Sequence, residues 1–293
     1  MKYYGAIFPL ALAAIVAALV LSGVAGCAAP APAPPPSPTP EPITFSTPTA
    51  IPSPTITPLR GTLAPATPSS IVGAMTRTKN APRYRVTMTL NVKQGNATSF
   101  ALDLKGEVNG DDEHYNYSLG GEQIEFIQAR TQFFAKGARS FGFPSATKWY
   151  SLPADVADAA RPPFSAEDLL TSFIALAPKE NFQPATRESL DGIACQVYRY
   201  VPKNLGEAGI ANLLGESEAA AFAALDPSEI KLWICDDGLL HQLSVDANGH
   251  NPRRVTDKGA AKLQLRLWDF QNTGIKIDPP PNAEKFQNVS PTP

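Results

Sequence analysis

Few residues in this chain are of types that carry out chemistry, and their spacing decides what they can do. The histidines are His114, His241 and His250, each in or beside an expected strand or turn. None shares with a neighbour the Cys/His/carboxylate spacing that closes a metal-ligand set. Asp111-Asp112-Glu113 places three carboxylates in succession, but a hard cation needs several oxygens converging at loop spacing. The cluster reads as a solvated turn. Asp236-Asp237-Gly238 has the residues of a tight turn, and turn chemistry accounts for it. There is no Gly-x-Ser-x-Gly elbow for acyl transfer and no Gly-rich phosphate loop. The three cysteines are Cys27, Cys195 and Cys235, with no Cys-x-x-Cys redox pair among them. These residues predict no catalytic site, no metal and no cofactor. They point to anchoring and binding instead.

Cys27 follows Val24-Ala25-Gly26 and closes an apolar run that begins near Gly5, with Lys2 the one charge before it. A charged start, an apolar core and small residues at the exit are the parts of a secretory signal. Val-Ala-Gly-Cys resembles the bacterial lipobox, and that resemblance implies three things. The Cys27 thiol receives a diacylglycerol carrying acyl chains of the palmitate kind, the signal 1–26 is removed, and Cys27 becomes the first residue of the mature chain. An uncleaved span is the alternative, since about 20 apolar residues cross a bilayer. Small residues packed against one cysteine serve lipidation rather than spanning. Either way the chain is tethered to the membrane and extracytoplasmic, on a cell surface or a periplasmic face.

Lys and Arg number 25 against 27 Asp and Glu. No basic excess is available to neutralise phosphates, so nucleic acid is not an expected partner. From Ala28 to Pro68 the composition turns to Ala-Pro and Pro-Ser-Pro-Thr repeats. Proline fixes φ and drives its predecessor to extended geometry, so residues 27–68 form a disordered, extended spacer after the lipidated cysteine. At about 3.1 Å per residue it reaches at most ~130 Å. A folded domain over 69–286 and a disordered tail over 287–293 complete the organisation. Roughly 220 residues are enough for one sizeable core.

Within the domain, Ser69 to Lys79 predicts a short helix with Ile71, Val72 and Met75 on one side. Tyr84, Val86, Met88, Leu90 and Val92 then alternate with polar residues, the period of a half-buried strand. Phe100, Leu102 and Leu104 repeat the pattern, as do Tyr115, Tyr117 and Leu119, then Ile124 and Phe126. Turns rich in Gly, Asn and Asp separate them. Phe133-Phe134 and Trp149-Tyr150 mark two further strands. Short strands between such turns predict an antiparallel meander. The period changes at Ala166–Ala177, where Ser165 with Asp168 fits a capping-box variant and Phe164 with Leu169 a hydrophobic staple. Pro178 ends that helix. A second helical insertion is expected over Leu205–Leu225, between strands at 193–201 and 230–235, and a last meander carries Leu263, Leu265 and Leu267.

This order, with Asp191-Gly192-Ile193-Ala194-Cys195-Gln196-Val197-Tyr198, Lys231-Leu232-Trp233-Ile234 and Asp237-Gly238-Leu239-Leu240, resembles the LolA/LppX-type half-barrel over about 69–286. The resemblance implies a mainly β, α+β fold. A curled antiparallel half-barrel sheet would carry helices over its concave face, with a lipid or lipoprotein in the cavity between them, as in LprG-like lipoproteins. Candidate cavity residues on the first strands are Tyr84, Val86, Met88 and Leu90, then Phe100 and Leu102. Tyr115, Tyr117 and Phe126 continue the row. Leu169, Phe173, Leu213 and Phe222 are the candidates from the helices. The same residues are also what any half-buried sheet needs to pack its helices. Three functions stay open: a carrier of a lipid-like ligand, a lipid sensor that partners a membrane or envelope protein, and a structural surface lipoprotein without ligand.

With Cys27 lipidated, Cys195 and Cys235 are an even pair in an oxidising compartment. Their strands are consecutive once the insertion is set aside, which makes antiparallel pairing the default. If Val201 faces Glu229, paired residue numbers add to 430, and Cys195 falls opposite Cys235. A disulfide is expected there, with two separately buried thiols as the alternative.

Overall fold

Period-two alternation governs most of the chain after Lys79, and the backbone follows it. The computed structural model describes residues 68–137, 142–176, 181–204, 207–208, 214 and 216–286. Cys27, the expected signal over 1–26, the expected spacer up to residue 67, Leu213 and residues 287–293 lie outside the described residues.

Helix α1 (Pro68–Lys79) opens the domain. Strands β1 (Arg83–Gln94), β2 (Ala97–Asn109), β3 (Asp112–Leu119), β4 (Glu122–Ala129), β5 (Gln132–Lys136) and β6 (Tyr150–Leu152) follow as an antiparallel meander. Helices α2 (Ala154–Ala160) and α3 (Ala166–Leu176) come next. The chain returns through β7 (Gln183–Leu190), β8 (Ile193–Tyr200), helix α4 (Glu216–Ala220), β9 (Ala224–Leu225), β10 (Glu229–Cys235), β11 (Leu240–Asn251) and β12 (Arg254–Trp268). β13 (Glu284–Lys285) pairs parallel with β6.

All strands share one sheet, ordered β13-β6-β5-β4-β3-β2-β1-β12-β11-β10-β8-β7, with β9 added beside β11. It is long, curled and unclosed, so the fold is the expected mainly β half-barrel. The two meanders meet where β1 pairs with β12. Val86, Met88 and Leu90 lie opposite Leu267, Leu265 and Leu263, so the inward apolar rows of both halves run on without a break.

Helices α1 and α3 pack on each other, and α1 also packs on β11. Thr78, buried in α1, donates to the Ala74 carbonyl (2.9 Å) and accepts the Leu240 N–H (2.8 Å). Arg77 donates through Nε and Nη2 to the Gly238 carbonyl at 3.2 and 2.8 Å. These bonds fix the end of α1 to the β10–β11 turn. The start of α3 is held as its sequence predicts. The Ser165 N–H donates to Asp168 Oδ2 (3.0 Å), and the Asp168 N–H donates to Ser165 Oγ (3.1 Å), a reciprocal pair that satisfies two helix-end donors.

Two expectations need correction. The insertion over Leu205–Leu225 is not helical throughout: among the described residues only 216–220 is helix, and Ala224–Leu225 pairs with Gly249 and His250 as a strand. Phe222 is the physical reason. Its ring is buried against Gly249 and Gly259, and residues 224–225 run on beside β11 rather than in a helix. Helix α2 has no counterpart in the sequence reading. Its seven residues are too few to display a helical period, and Arg161-Pro162-Pro163 ends it at once.

Candidate functional site

Strand alternation sends alternate side chains inward and builds a single inner surface. From β1 come Tyr84, Val86, Met88 and Leu90, all buried. Leu102 of β2, Tyr115 and Tyr117 of β3 and Phe126 of β4 continue it, each no more than 1% exposed. Phe100 is half-buried and meets Phe164 edge-on, with ring centroids 6.3 Å apart. From above, α3 inserts Leu169 and Phe173, both fully buried, and Phe222 joins the same core. The inner-face candidates among the described residues therefore lie in one apolar cluster. To these the structure adds Ile71 and Met75 of α1. Their helical spacing shows in the sequence, but nothing there tells that this helix lies on the sheet.

Helix side chains fill the inner face. Two depressions among the described residues lie elsewhere and are open to solvent. One of about 600 Å³ is lined by Arg77, Asn80, Asp237, Phe270 and Gln271 among others; another of about 550 Å³ lies by Gln183, Pro184, Tyr200 and Val201. Neither is lined by the inward stripe.

Glu113 corrects the reading of the Asp111-Asp112-Glu113 run as a solvated turn. Asp111 is in the turn, but Glu113 belongs to β3 two residues before Tyr115, and period two turns it inward. Its side chain is 23% exposed and lies 3.9 Å from Arg161 Nε. Burial raises its carboxyl above the usual range; Arg161 opposes this, and Asp168 and Glu167 reinforce it. Arg161 also donates through Nη2 to Gln128 and stands 5.7 Å from the centre of the Phe126 ring. A polar pair thus borders the apolar surface beside the start of α3. Desolvation pushes the Tyr84, Tyr115 and Tyr117 phenols up as well, so they stay neutral. Tyr117 Oη donates to the Ala160 carbonyl at 2.8 Å, which ties β3 to α2.

Each histidine faces one carboxylate: His114 Glu125 at 2.9 Å, His241 Asp237 at 2.8 Å and His250 Asp226 at 3.0 Å. No group of three or more metal-ligating side chains occurs among the described residues. Cys195 and Cys235 are paired in register and joined by a disulfide. They lie on the outer face with Val197 and Trp233, in a small cluster separate from the inner core.

No family model matches the chain, and no curated protein matches it. Among solved structures it is similar to LprF from Mycobacterium bovis, at 14% identity and a TM-score of 0.47, over 74% of this chain and 98% of that one. It is also similar to the lipoprotein LppX from Mycobacterium tuberculosis, at 15% identity and a TM-score of 0.40, over 72% of this chain and 97% of that one.

Proposed function

We propose that this chain is a membrane-anchored extracytoplasmic lipoprotein whose half-barrel takes a lipid-like ligand against its inner face. The observation that supports this is the surface itself: a continuous apolar face on a sheet that never closes, covered in the middle by helices of only 12 and 11 residues. Each methylene of an acyl chain contributes about 0.8 kcal/mol on burial, so a chain of ordinary length competes with a short helix for this surface. In this reading α1 and α3 occupy the ligand's place in the empty state and lift to admit it. Anchoring is through acyl chains on Cys27. One chain binds a membrane only marginally, so stable anchoring takes two or more.

A specific observation favours a second reading, a structural lipoprotein without ligand: the inner face is already filled. Mass measurement of the full chain, taken from membranes without unfolding, separates the two. Masses under native and denaturing conditions should differ by one lipid if the inner face carries a ligand. The denatured mass alone reports the acyl chains on Cys27, and these should vanish in Cys27→Ser. Equal native and denatured masses would support the structural reading.

A further inference from the structure

Where β11 and β12 outrun β1, the hairpin carries a concentration of charge that the inner-face function does not use. β1 ends at Gln94, opposite Gly259, and the Gly95 N–H donates to the Lys258 carbonyl at 2.7 Å. Beyond that point the hairpin is flanked by β9 only as far as His250 and then turns through Asn251-Pro252-Arg253-Arg254 to Lys258, with residues 255–257 bulging between paired positions. Arg253, Arg254 and Lys258 are exposed there, and Lys93 is exposed at the neighbouring end of β1. No ion pair reaches any of these four side chains among the described residues. The nearby carboxylates Asp226 and Asp246 are taken by His250 and Lys262. Asp257 is the one carboxylate on the overhang. Several cations elsewhere, among them Arg85, Lys136, Arg187 and Arg266, hold carboxylates.

Four cations set against the single carboxylate Asp257 leave this end of the sheet with a net positive charge, which an external anion offsets. Their side chains are not fixed by neighbours, so they do not form a rigid fork for one phosphate or carboxylate. Long, free cationic side chains on a protruding tip suit a diffuse negative surface. We propose that the β11–β12 tip, with Lys93 beside it, docks on an anionic membrane surface. The proposal is independent of what the inner face holds.

The test uses the full chain reconstituted into phosphatidylcholine vesicles, so that its apolar N-terminal segment is already accommodated. Fluorescent acceptor vesicles are then added, of phosphatidylcholine alone or of a three-to-one mixture with phosphatidylglycerol. Capture should require phosphatidylglycerol and fade at high salt, where the screening length shrinks from about 10 Å to about 3 Å. Arg253→Gln and Arg254→Gln should each weaken capture about fivefold, and the triple variant with Lys258→Gln should abolish it. These side chains hold no ion pair among the described residues, so the variants should retain the wild-type β-sheet circular dichroism. Arg130→Gln, in the exposed β4–β5 turn at the opposite end of the sheet, should capture like wild type. Equal capture of neutral vesicles, or a triple variant that captures like wild type, would overturn the proposal. So would full competition by millimolar glycerol phosphate, which would assign the charges to a small soluble anion.

Discussion

Cys195 and Cys235 face each other across β8 and β10, on the side of the sheet turned away from the main core. The pairing continues through Lys231 with Arg199 and Ile230 with Tyr200, and Trp233 Nε1 on the same face donates to Glu188 Oε2 at 2.8 Å. The register thus has supports besides the sulfur bridge. With the two cysteines 40 residues apart, the chain-entropy model assigns the cross-link about 4 kcal/mol. Replacing both cysteines with alanine should lower the urea midpoint accordingly while the β-sheet circular dichroism persists at low urea. Thiol labelling of unfolded, unreduced protein should modify neither cysteine.

Phe222 fills the space that a side chain at Gly259 would need: a Cβ there would meet the ring at 2.6 Å. Gly259→Ala should therefore cost about 1–3 kcal/mol, the usual penalty for overpacking a core. Phe222→Leu should cost stability alone yet recover part of the loss in the double variant, since residues in contact are not additive. Thermal unfolding of the four proteins measures that coupling. Simple addition of the two effects would contradict the packing.

Glu113 gives a pH signature. Burial holds its folded carboxyl above the ordinary range, so its contribution to stability is fully present below the unfolded carboxylate pKa. It is lost as pH rises through the higher folded value. Glu113→Gln, which mimics the protonated acid, should stabilise the fold at neutral pH, and the gain should shrink as pH falls through the raised folded value and be gone below the ordinary carboxylate value of about 4. Denaturant titrations across that range read the difference. A gain that does not depend on pH would contradict the assignment.

Most of the sheet was legible in the sequence because alternation at Tyr84–Val92, Leu102–Leu104 and Tyr115–Tyr117 uses large apolar residues. The signal fades where the inward residues are small. β11 runs on past Val245 through Ala247 and Gly249, and neither side chain announces an inward position. The pairing of Cys195 with Cys235 followed from antiparallel strands once Val201 was set opposite Glu229, and the observed register, with Ile230 opposite Tyr200, has the same sum. The insertion misled because Ala, Leu and Glu favour helix locally, whereas the two glycines that receive Phe222 are distant in sequence. Glu113 was hidden by its neighbours Asp111 and Asp112; extending the Tyr117–Tyr115 period by one step would have placed it. Whether the helices leave space above the sheet depends on packing volume, which alternation does not encode.

The claim that the inner face accepts an acyl chain is tested most directly by photolabelling the full chain with a diazirine-bearing fatty acid and mapping the modified peptides. The label should fall on the inward residues Met88, Tyr115, Phe126 and Phe173, and unlabelled lipid should compete it away. Phe173→Asp should abolish the labelling while the β-sheet circular dichroism remains, because an unpaired charge on that surface opposes acyl-chain burial. Labelling confined to the open groove of Arg77, Asn80 and Phe270, or absent from the inner face at every probe concentration, would contradict the account.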